Sequence, residues 1–468
     1  MSKKKFGTDG WRAIIADDFT VENVARVTEA TAQWLKKNYK NPSVVVGHDC
    51  RFAGELFAAT ATRVFAAQGI KVFLAKGFVS TPMISFGAKQ YGCSLGVIIT
   101  ASHNPPSYNG YKLKSEHGGP LSPEKVQEIE DIIPEKCSSI SDKSMDELVA
   151  EGKVEMAPLE DNYVKHIEKN FDLEAIRKSG MKLAYDAMYG AGQNVIKRIL
   201  PETVLLHCDH NPSFRGQAPE PIHKNLLEFS ELIKKDGKIN CGLATDGDAD
   251  RIGLYNSKGE FVDSHHIILL LIHYFCKYKN KKGKVVTAFS TTPRVDKMAK
   301  HYGLESEVVK IGFKYIAGLM VEQENIIVGG EESGGIAVTG HIPERDGIWM
   351  GLIIWEFMAK SGKTLEQLIA EVYEITGSFS FERNDLHLKE EVKQKIVKQT
   401  QGSGYDAFGN YKVNKVESID GYKYYFDNDE WVMIRASGTE PVLRIYAESS
   451  DKAGADKIIE STIKTILA

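Results

Sequence analysis

Three aspartates, Asp246, Asp248 and Asp250, stand at i, i+2 and i+4 directly after the apolar run Gly242-Leu-Ala-Thr245. In extended backbone alternate side chains share a face, so this spacing predicts three converging carboxylates. Uncompensated, they repel and raise one another's pKa values, which makes a divalent cation their natural partner. Oxygen ligands with no Cys or His nearby favour Mg2+, Ca2+ or Mn2+ over Zn2+. An EF-hand fails at two positions, since its turn glycine would fall on Arg251 and its bidentate glutamate on Ser257. A solvated acidic turn is the plain alternative. Three carboxylates leave an octahedral ion room for a phosphate oxygen, and Arg251 adds a cation suited to bidentate phosphate binding.

A hydroxyl is the second element of this chemistry. Leu95-Gly-Val-Ile-Ile-Thr100 reads as a buried strand that runs into Ala101-Ser-His-Asn-Pro105, so Ser102 lies where a strand ends in a sharp turn. That is the usual place for chemistry in an open α/β sheet. An acyl-transfer elbow would read G-x-S-x-G, whereas Thr100 and Asn104 occupy the glycine positions. Phosphoryl chemistry fits better, with Ser102 carrying a phosphate whose oxygen completes the metal site. His103, beside the hydroxyl, and Lys112, in Asn109-Gly-Tyr-Lys112, join the catalytic candidates. Lys112 would neutralise the phosphate or shuttle a proton; a surface lysine is the plain reading.

Two further loops suit a ligand. Gly329-Gly-Glu-Glu-Ser-Gly-Gly335 sets Glu331 and Ser333 among glycines, a composition for hydrogen bonding to a polyhydroxylated ligand close to the backbone. Arg435-Ala-Ser-Gly-Thr-Glu-Pro441 offers a guanidinium (Arg435), two hydroxyls (Ser437, Thr439) and backbone N–H groups opened by Gly438, which together suit a phosphate cradle. No Walker-A pattern is present, so nucleotide chemistry is not implied. Ordinary polar turns are the alternative for both.

The elements that hold these loops alternate. A helix capped by Thr20, strand Val44–Val46, a helix over Leu56–Ala67, strand Ile70–Leu74 and the strand before Ser102 give a β-α-β order. A charged, Pro-punctuated stretch from Gly118 to about Pro158 marks the first boundary. A second α/β unit runs from strand Met181–Tyr185 to the aspartate loop. A third includes helix His265–Tyr278, strands Gly283–Ala288 and Ile326–Val328, and helix Gly347–Met358. After Gly377 paired strands Val432–Arg435 and Leu443–Ala447 precede a helix over Ala453–Leu467, an α+β pattern. The divisions drawn are 1–155, 156–256, 257–376 and 377–468. No sequence repeat is visible.

At 468 residues the chain exceeds one hydrophobic core. A net charge of −4 argues against a general nucleic-acid binder. The six cysteines form no metal-type spacing and read as reduced, buried thiols. Met1–Phe6 is basic with no apolar stretch behind it, unlike a signal peptide. The apolar patch Ile267–Ile272, between His266 and His273, is far shorter than the ~20 residues of a membrane helix. A cytoplasmic location without membrane attachment is expected. The sequence carries no sign of oligomeric state.

These motifs resemble those of the α-D-phosphohexomutases, the family of phosphoglucomutases and phosphomannomutases. The likeness spans the whole chain through five ordered landmarks: Phe6-Gly-Thr-Asp-Gly-Trp-Arg12, Thr100–Pro105 with Asn109–Lys112, Asp246–Arg251, Gly330-Glu-Glu-Ser-Gly334, and Arg435–Pro441. The resemblance implies three related α/β/α sandwich domains plus a C-terminal α+β domain around a central cleft. It implies a phosphoserine at Ser102, Mg2+ held by Asp246, Asp248, Asp250 and that phosphoserine, and Arg12, Lys112 and Arg251 near the transferring phosphoryl group. Glu331 and Ser333 match residues that grip sugar hydroxyls; Arg435, Ser437, Gly438 and Thr439 match the loop for the phosphate that is not transferred. The implied reaction interconverts hexose 1- and 6-phosphates, of glucose or mannose, with glucose 1,6-bisphosphate as activator. Some members carry His after the Gly-Glu-x-Ser-Gly run, where this chain has Gly335. Proton transfer is then left to Lys112 or to His341 in Gly340-His-Ile-Pro-Glu-Arg-Asp-Gly347. Glu332 and Gly335 weigh against a phosphoglucosamine mutase, which stays open beside a non-catalytic phosphosugar binder and a metal-dependent phosphatase.

Overall fold

A computed structural model describes residues 4–7, 9–402, 404–436 and 442–468. Its strands form four principal sheets. In the first, Ser43–His48 lies between Leu95–Ile99 and Lys71–Ala75, all parallel, and Val154–Ala157 extends that run from within the charged stretch. Tyr108–Ser115 and Trp11–Ile14 add two antiparallel strands at the other edge. The parallel strands read as apolar runs because helices cover both faces; Val44, Val45 and Val46 are fully buried. The first helix, Val21–Asn38, starts where Thr20 accepts the N–H of Asn23 at 3.2 Å.

In the second sheet Lys182–Asp186 lies between and parallel to Val204–Leu206 and Ile239–Thr245, and the sheet turns antiparallel at Ile252–Tyr255. The third repeats the device. Lys284–Ala288 is parallel to Glu305–Val309 and Ile326–Gly330, and Ile336–Val338 returns antiparallel to the last. The fourth is wholly antiparallel, ordered Ser380–His387, Val442–Ser449, Trp431–Ala436, Tyr422–Tyr425, Lys415–Glu417, with helices Glu390–Gln401 and Lys452–Leu467. The α/β architecture with an α+β C-terminal unit is the one expected.

The apolar patch Ile267–Ile272 forms the centre of helix Ser264–His273 and is fully buried, packed with helix Gly347–Ser361 in a core continuous across the first three sheets. Among the described residues no helix is long and apolar enough to cross a membrane. All six cysteines are free thiols, but only Cys50, Cys93, Cys241 and Cys276 are buried. Cys137 and Cys208 are half-buried, so burial does not extend to every thiol as expected.

Candidate active site

Each of the first three sheets places a turn between a parallel strand and its antiparallel neighbour, and each turn carries one of the motifs. Ser102 sits on the turn between Leu95–Ile99 and Tyr108–Ser115, with φ of 53° in the left-handed region. Such a backbone persists only when its surroundings fix it. Here the Ser102 N–H donates to Thr100 Oγ1 at 2.9 Å, and Thr100 Oγ1 donates to Asp49 Oδ2 at 2.5 Å. Arg51 does more: Nη2 donates to the carbonyls of Ser102 and Asn104, both at 2.6 Å, and Nη1 to those of Pro105 and Tyr108 at 2.9 and 3.0 Å. One guanidinium thus clamps the turn by four carbonyl oxygens.

The aspartate loop is a tight turn rather than the extended segment expected from alternation. Ala249, at φ 56°, returns its N–H to the Asp246 carbonyl at 3.0 Å. Asp246 Oδ1 accepts the N–H groups of Asp250 (2.9 Å) and Arg251 (3.0 Å). The carboxylates still converge, with one oxygen of each within 4.8 Å of the others, because the turn folds all three inward. This loop abuts the serine turn so closely that a Cβ at Gly247 would stand 2.5 Å from the Ser102 carbonyl oxygen. Ser102 Oγ donates to Asp246 Oδ2 at 2.7 Å, and His103 Nδ1 lies 3.3 Å from the same hydroxyl.

The three aspartates are fully buried. Burial, followed by the charges of Asp248 and Asp250, pushes the Asp246 carboxyl well above the usual range. At Asp248 burial pushes the same way, but the charge and hydrogen bond of Lys112, with the hydrogen bond of Thr81, together hold the carboxyl low. Lys112 Nζ reaches Asp248 Oδ2 at 2.7 Å, Asp9 Oδ2 at 2.9 Å and Asp250 Oδ2 at 3.2 Å. These carboxylates raise its pKa against its burial, so it is an ammonium. Two carboxylate oxygens, Asp248 Oδ1 and Asp250 Oδ1, are buried without any hydrogen-bond partner. Buried charged oxygens do not stay unpaired without cost, so this donor set fits a hard divalent cation.

The sugar-loop candidates lie on the third turn. Ile252 N donates to the Gly334 carbonyl at 3.1 Å, and Arg251 and Gly335 form a single antiparallel bridge, which ties this turn to the strand leaving the aspartate loop. Glu331 is buried, accepts the Gly312 N–H at 2.9 Å, and has its carboxyl pushed up to about 7 by burial and by Glu332. Ser333 is half-buried. Arg12 donates to Asn104 Oδ1 at 2.6 Å, which sets it on the serine turn, and Arg251 Nη1 lies 3.8 Å from Glu220. Burial, then the charges of Arg251 and Arg12, hold His103 well below the usual imidazole range, so it is neutral. In the fourth sheet Arg435 pairs with Asp420, Nε to Oδ1 at 3.1 Å. Ser437, Gly438 and Thr439 lie outside the described residues.

His341 is not brought to this cluster. Its ring stacks on Trp349 at 3.8 Å and its Nε2 lies 2.9 Å from Asp346 Oδ2. The residue of that segment that does arrive is Arg345, whose Nη2 bridges Asp9 and Asp250. Sequence reading also missed Asp9, Asp49 and Arg51 as members of the site. The only signal for the last pair was a strand, Ser43–His48, ending in two opposite charges two residues apart.

The chain matches four family descriptions in order. They are the alpha/beta/alpha domains I, II and III of phosphoglucomutase/phosphomannomutase over residues 3–139, 161–259 and 263–375, and its C-terminal domain over 388–465. It is 31% identical to a phosphoglucomutase/phosphomannomutase of Thermococcus kodakarensis, across 99% of this chain and 98% of that protein. At 31%, across 99% of both, it is similar to a phosphoglucosamine/phosphogalactosamine mutase of Sulfurisphaera tokodaii. The crystal structure of a candidate phosphomannomutase from Thermus thermophilus superposes over 100% of both chains, with a TM-score of 0.88 at 30% identity.

Proposed function

Because the chain belongs to the α-D-phosphohexomutase family, we propose that this enzyme interconverts the 1- and 6-phosphates of glucose, mannose or both through a phosphorylated Ser102. The observation that carries the reading is the Ser102 hydroxyl, fixed 2.7 Å from Asp246 in a buried carboxylate cluster with two unpaired oxygens. A pure binder of phosphosugars has no use for that combination, and a metal-dependent phosphatase would release the phosphate that a mutase conserves.

Phosphorylated Ser102 donates its phosphoryl group to the free O1 or O6 of a hexose monophosphate. The new O–P bond forms as the Oγ–P bond breaks, and the proton of the sugar hydroxyl passes to Oγ. Lys112, an ammonium among Asp9, Asp248 and Asp250, is the group we assign to that relay: it gives a proton to the departing Oγ and takes one back from the sugar hydroxyl. The bisphosphate turns round and returns its other phosphate to Ser102; added glucose 1,6-bisphosphate would reprime enzyme that has lost its phosphate. Asp246, Asp248 and Asp250, with a phosphate oxygen on Ser102, would hold Mg2+, which supplies charge neutralisation at the transferring group. Arg12 and Arg251 orient the same phosphate, and His103 lines it as a neutral ring. Glu331 and Ser333 would grip sugar hydroxyls, and Arg435, Ser437, Gly438 and Thr439 the distal phosphate. Positioning and charge dominate such a transfer, so groups from distant parts of the chain suffice. Closure of the C-terminal unit over the cleft would keep water from the phosphoserine.

The second reading, an amino-sugar substrate, is favoured by similarity to the S. tokodaii mutase; Glu332 and Gly335 favour the first. Incubation with glucose 1-phosphate, Mg2+ and a trace of glucose 1,6-bisphosphate, followed by assay of glucose 6-phosphate and free phosphate, tests the reaction. Parallel runs with mannose and glucosamine phosphates decide the sugar. Ser102→Ala is expected to abolish turnover; substantial residual mutase activity would sink the assignment.

A further inference from the structure

Gly335 is a glycine that its backbone does not require, since its φ lies outside the left-handed region. Space requires it instead. A Cβ at this position would stand 2.5 Å from Arg345 Cδ, 3.1 Å from Arg345 Cγ and 3.4 Å from Glu331 Oε2. Arg345 is 4% exposed and lies over the ring of Phe313, 5.2 Å from its centroid. Its Nη2 donates to Asp9 and forms an ion pair with Asp250 Oδ2 at 2.8 Å, and its Nε lies 3.3 Å from Glu344 Oε1. The side chain therefore crosses from the Glu331 turn of the third sheet, over Gly335, to a carboxylate of the second sheet and to the N-terminal loop.

Asp250 has one oxygen shared by Arg345 and Lys112 and the other without a partner. A planar guanidinium fixes the orientation of a carboxylate in a way a flexible ammonium cannot. We propose that Arg345 is a positioning residue for the divalent-cation site, turning Asp250 so that its free oxygen faces the cation, and that Gly335 is kept bare so that Arg345 can reach it. This rests on the proposed cation-dependent transfer at Ser102. It differs from that reading in assigning a role to two residues to which that reading gives none.

Mg2+ titrations followed by thermal melting, which need no turnover, test the proposal on the full-length protein and on Arg345→Met, Arg345→Lys, Gly335→Ala and the Gly335→Ala/Arg345→Met double variant. Arg345→Met and Gly335→Ala are expected to raise the Mg2+ midpoint by about tenfold or more, the range seen when partners of metal ligands are removed. Arg345→Lys should fall between them and the unaltered protein. The double variant should match the single ones, because both act through one side chain. Parallel kinetics should lose kcat more than they raise the KM for hexose phosphate. A merely structural role would lower the melting temperature without moving the Mg2+ midpoint, and that result overturns the proposal, as do defects that multiply in the double variant or an unaltered protein that ignores Mg2+. If Arg345→Met does not fold, the midpoints of Arg345→Lys and Gly335→Ala decide. An unaltered protein that binds Mg2+ but turns over no hexose phosphate would remove the proposed function while leaving this inference to its own midpoints.

Discussion

Burial, with the neighbouring charge of Glu332, lifts the Glu331 carboxyl from an ordinary 4.5 to about 7. Between those values the folded chain keeps a proton that the unfolded chain releases. The contribution of Glu331 to stability therefore falls as the pH rises through that window and stays low above it. Glu331→Gln imitates the protonated form. Its melting curve should coincide with that of the unaltered protein near pH 4.5. By pH 8 it should be the more stable, by on the order of 3 kcal/mol, and a pH-independent difference would contradict this. Residues of this kind were legible where reactive types cluster at short spacing, as in Asp246, Asp248 and Asp250. Arg345 and Asp9 were not, because their contact joins positions 336 residues apart. Single charges in loops read as solvated until the topology buries them. His341 and Arg345 share one short segment, and nothing in their local sequence says which of the two turns toward the carboxylates.

At the scale of elements, the strands and helices were legible from apolar runs and caps, whereas the shapes of the turns were not. Spacing made the aspartate loop extended; a left-handed Ala249 makes it a turn that converges the same side chains by another route. The serine turn depends likewise on a partner outside itself. Arg51→Lys keeps the charge but loses the fork that serves four carbonyls, and each carbonyl left buried and unpaired costs about 1–3 kcal/mol. The expected result is a large loss of kcat with a measurable drop in melting temperature; unchanged kcat would contradict the clamp. Helix Gly347–Ser361 offers a parallel case. Asp346 caps it by accepting the Trp349 N–H at 3.0 Å, and also receives the Tyr163 hydroxyl at 2.7 Å. Asp346→Ala strands these partners and His341 together, and a loss of about 2–5 kcal/mol in urea unfolding is expected, smaller for Asp346→Asn.

Across the whole molecule, three sheets built alike each hold one motif at the same kind of turn, where a parallel strand meets its antiparallel neighbour. That repetition left no trace in the residues, because strand pairing constrains backbone and pattern while the turns carry different chemistry. The C-terminal unit is held to the third by buried ions. Arg294 Nε meets Glu448 Oε1 at 2.9 Å, and Lys423 Nζ donates to the Thr291 carbonyl at 3.1 Å while lying 4.2 Å from the centroid of the Trp431 ring. Removing one member of a buried pair leaves the other uncompensated, at a cost of about 3–5 kcal/mol. Arg294→Met should therefore lower the unfolding midpoint and speed proteolytic cleavage between helix Leu365–Thr376 and strand Ser380–His387. Cleavage at the rate of the unaltered protein would show that the pair does not hold the units together.

The clamp of Arg51 on the serine turn reaches further than the turn. A serine whose own carbonyl and three neighbouring ones are tied to one guanidinium has a backbone held in one place, which does not travel between two distant acceptors. On the proposed reaction, O1 and O6 must then be brought to it in succession, and the burden of motion falls on the cargo rather than the carrier. A bisphosphate that must tumble has to loosen its grip between transfers. Any of it that escaped would strand an enzyme molecule without its phosphate. On that reaction, the rigidity of the Ser102 turn would tie turnover to recharging from solution.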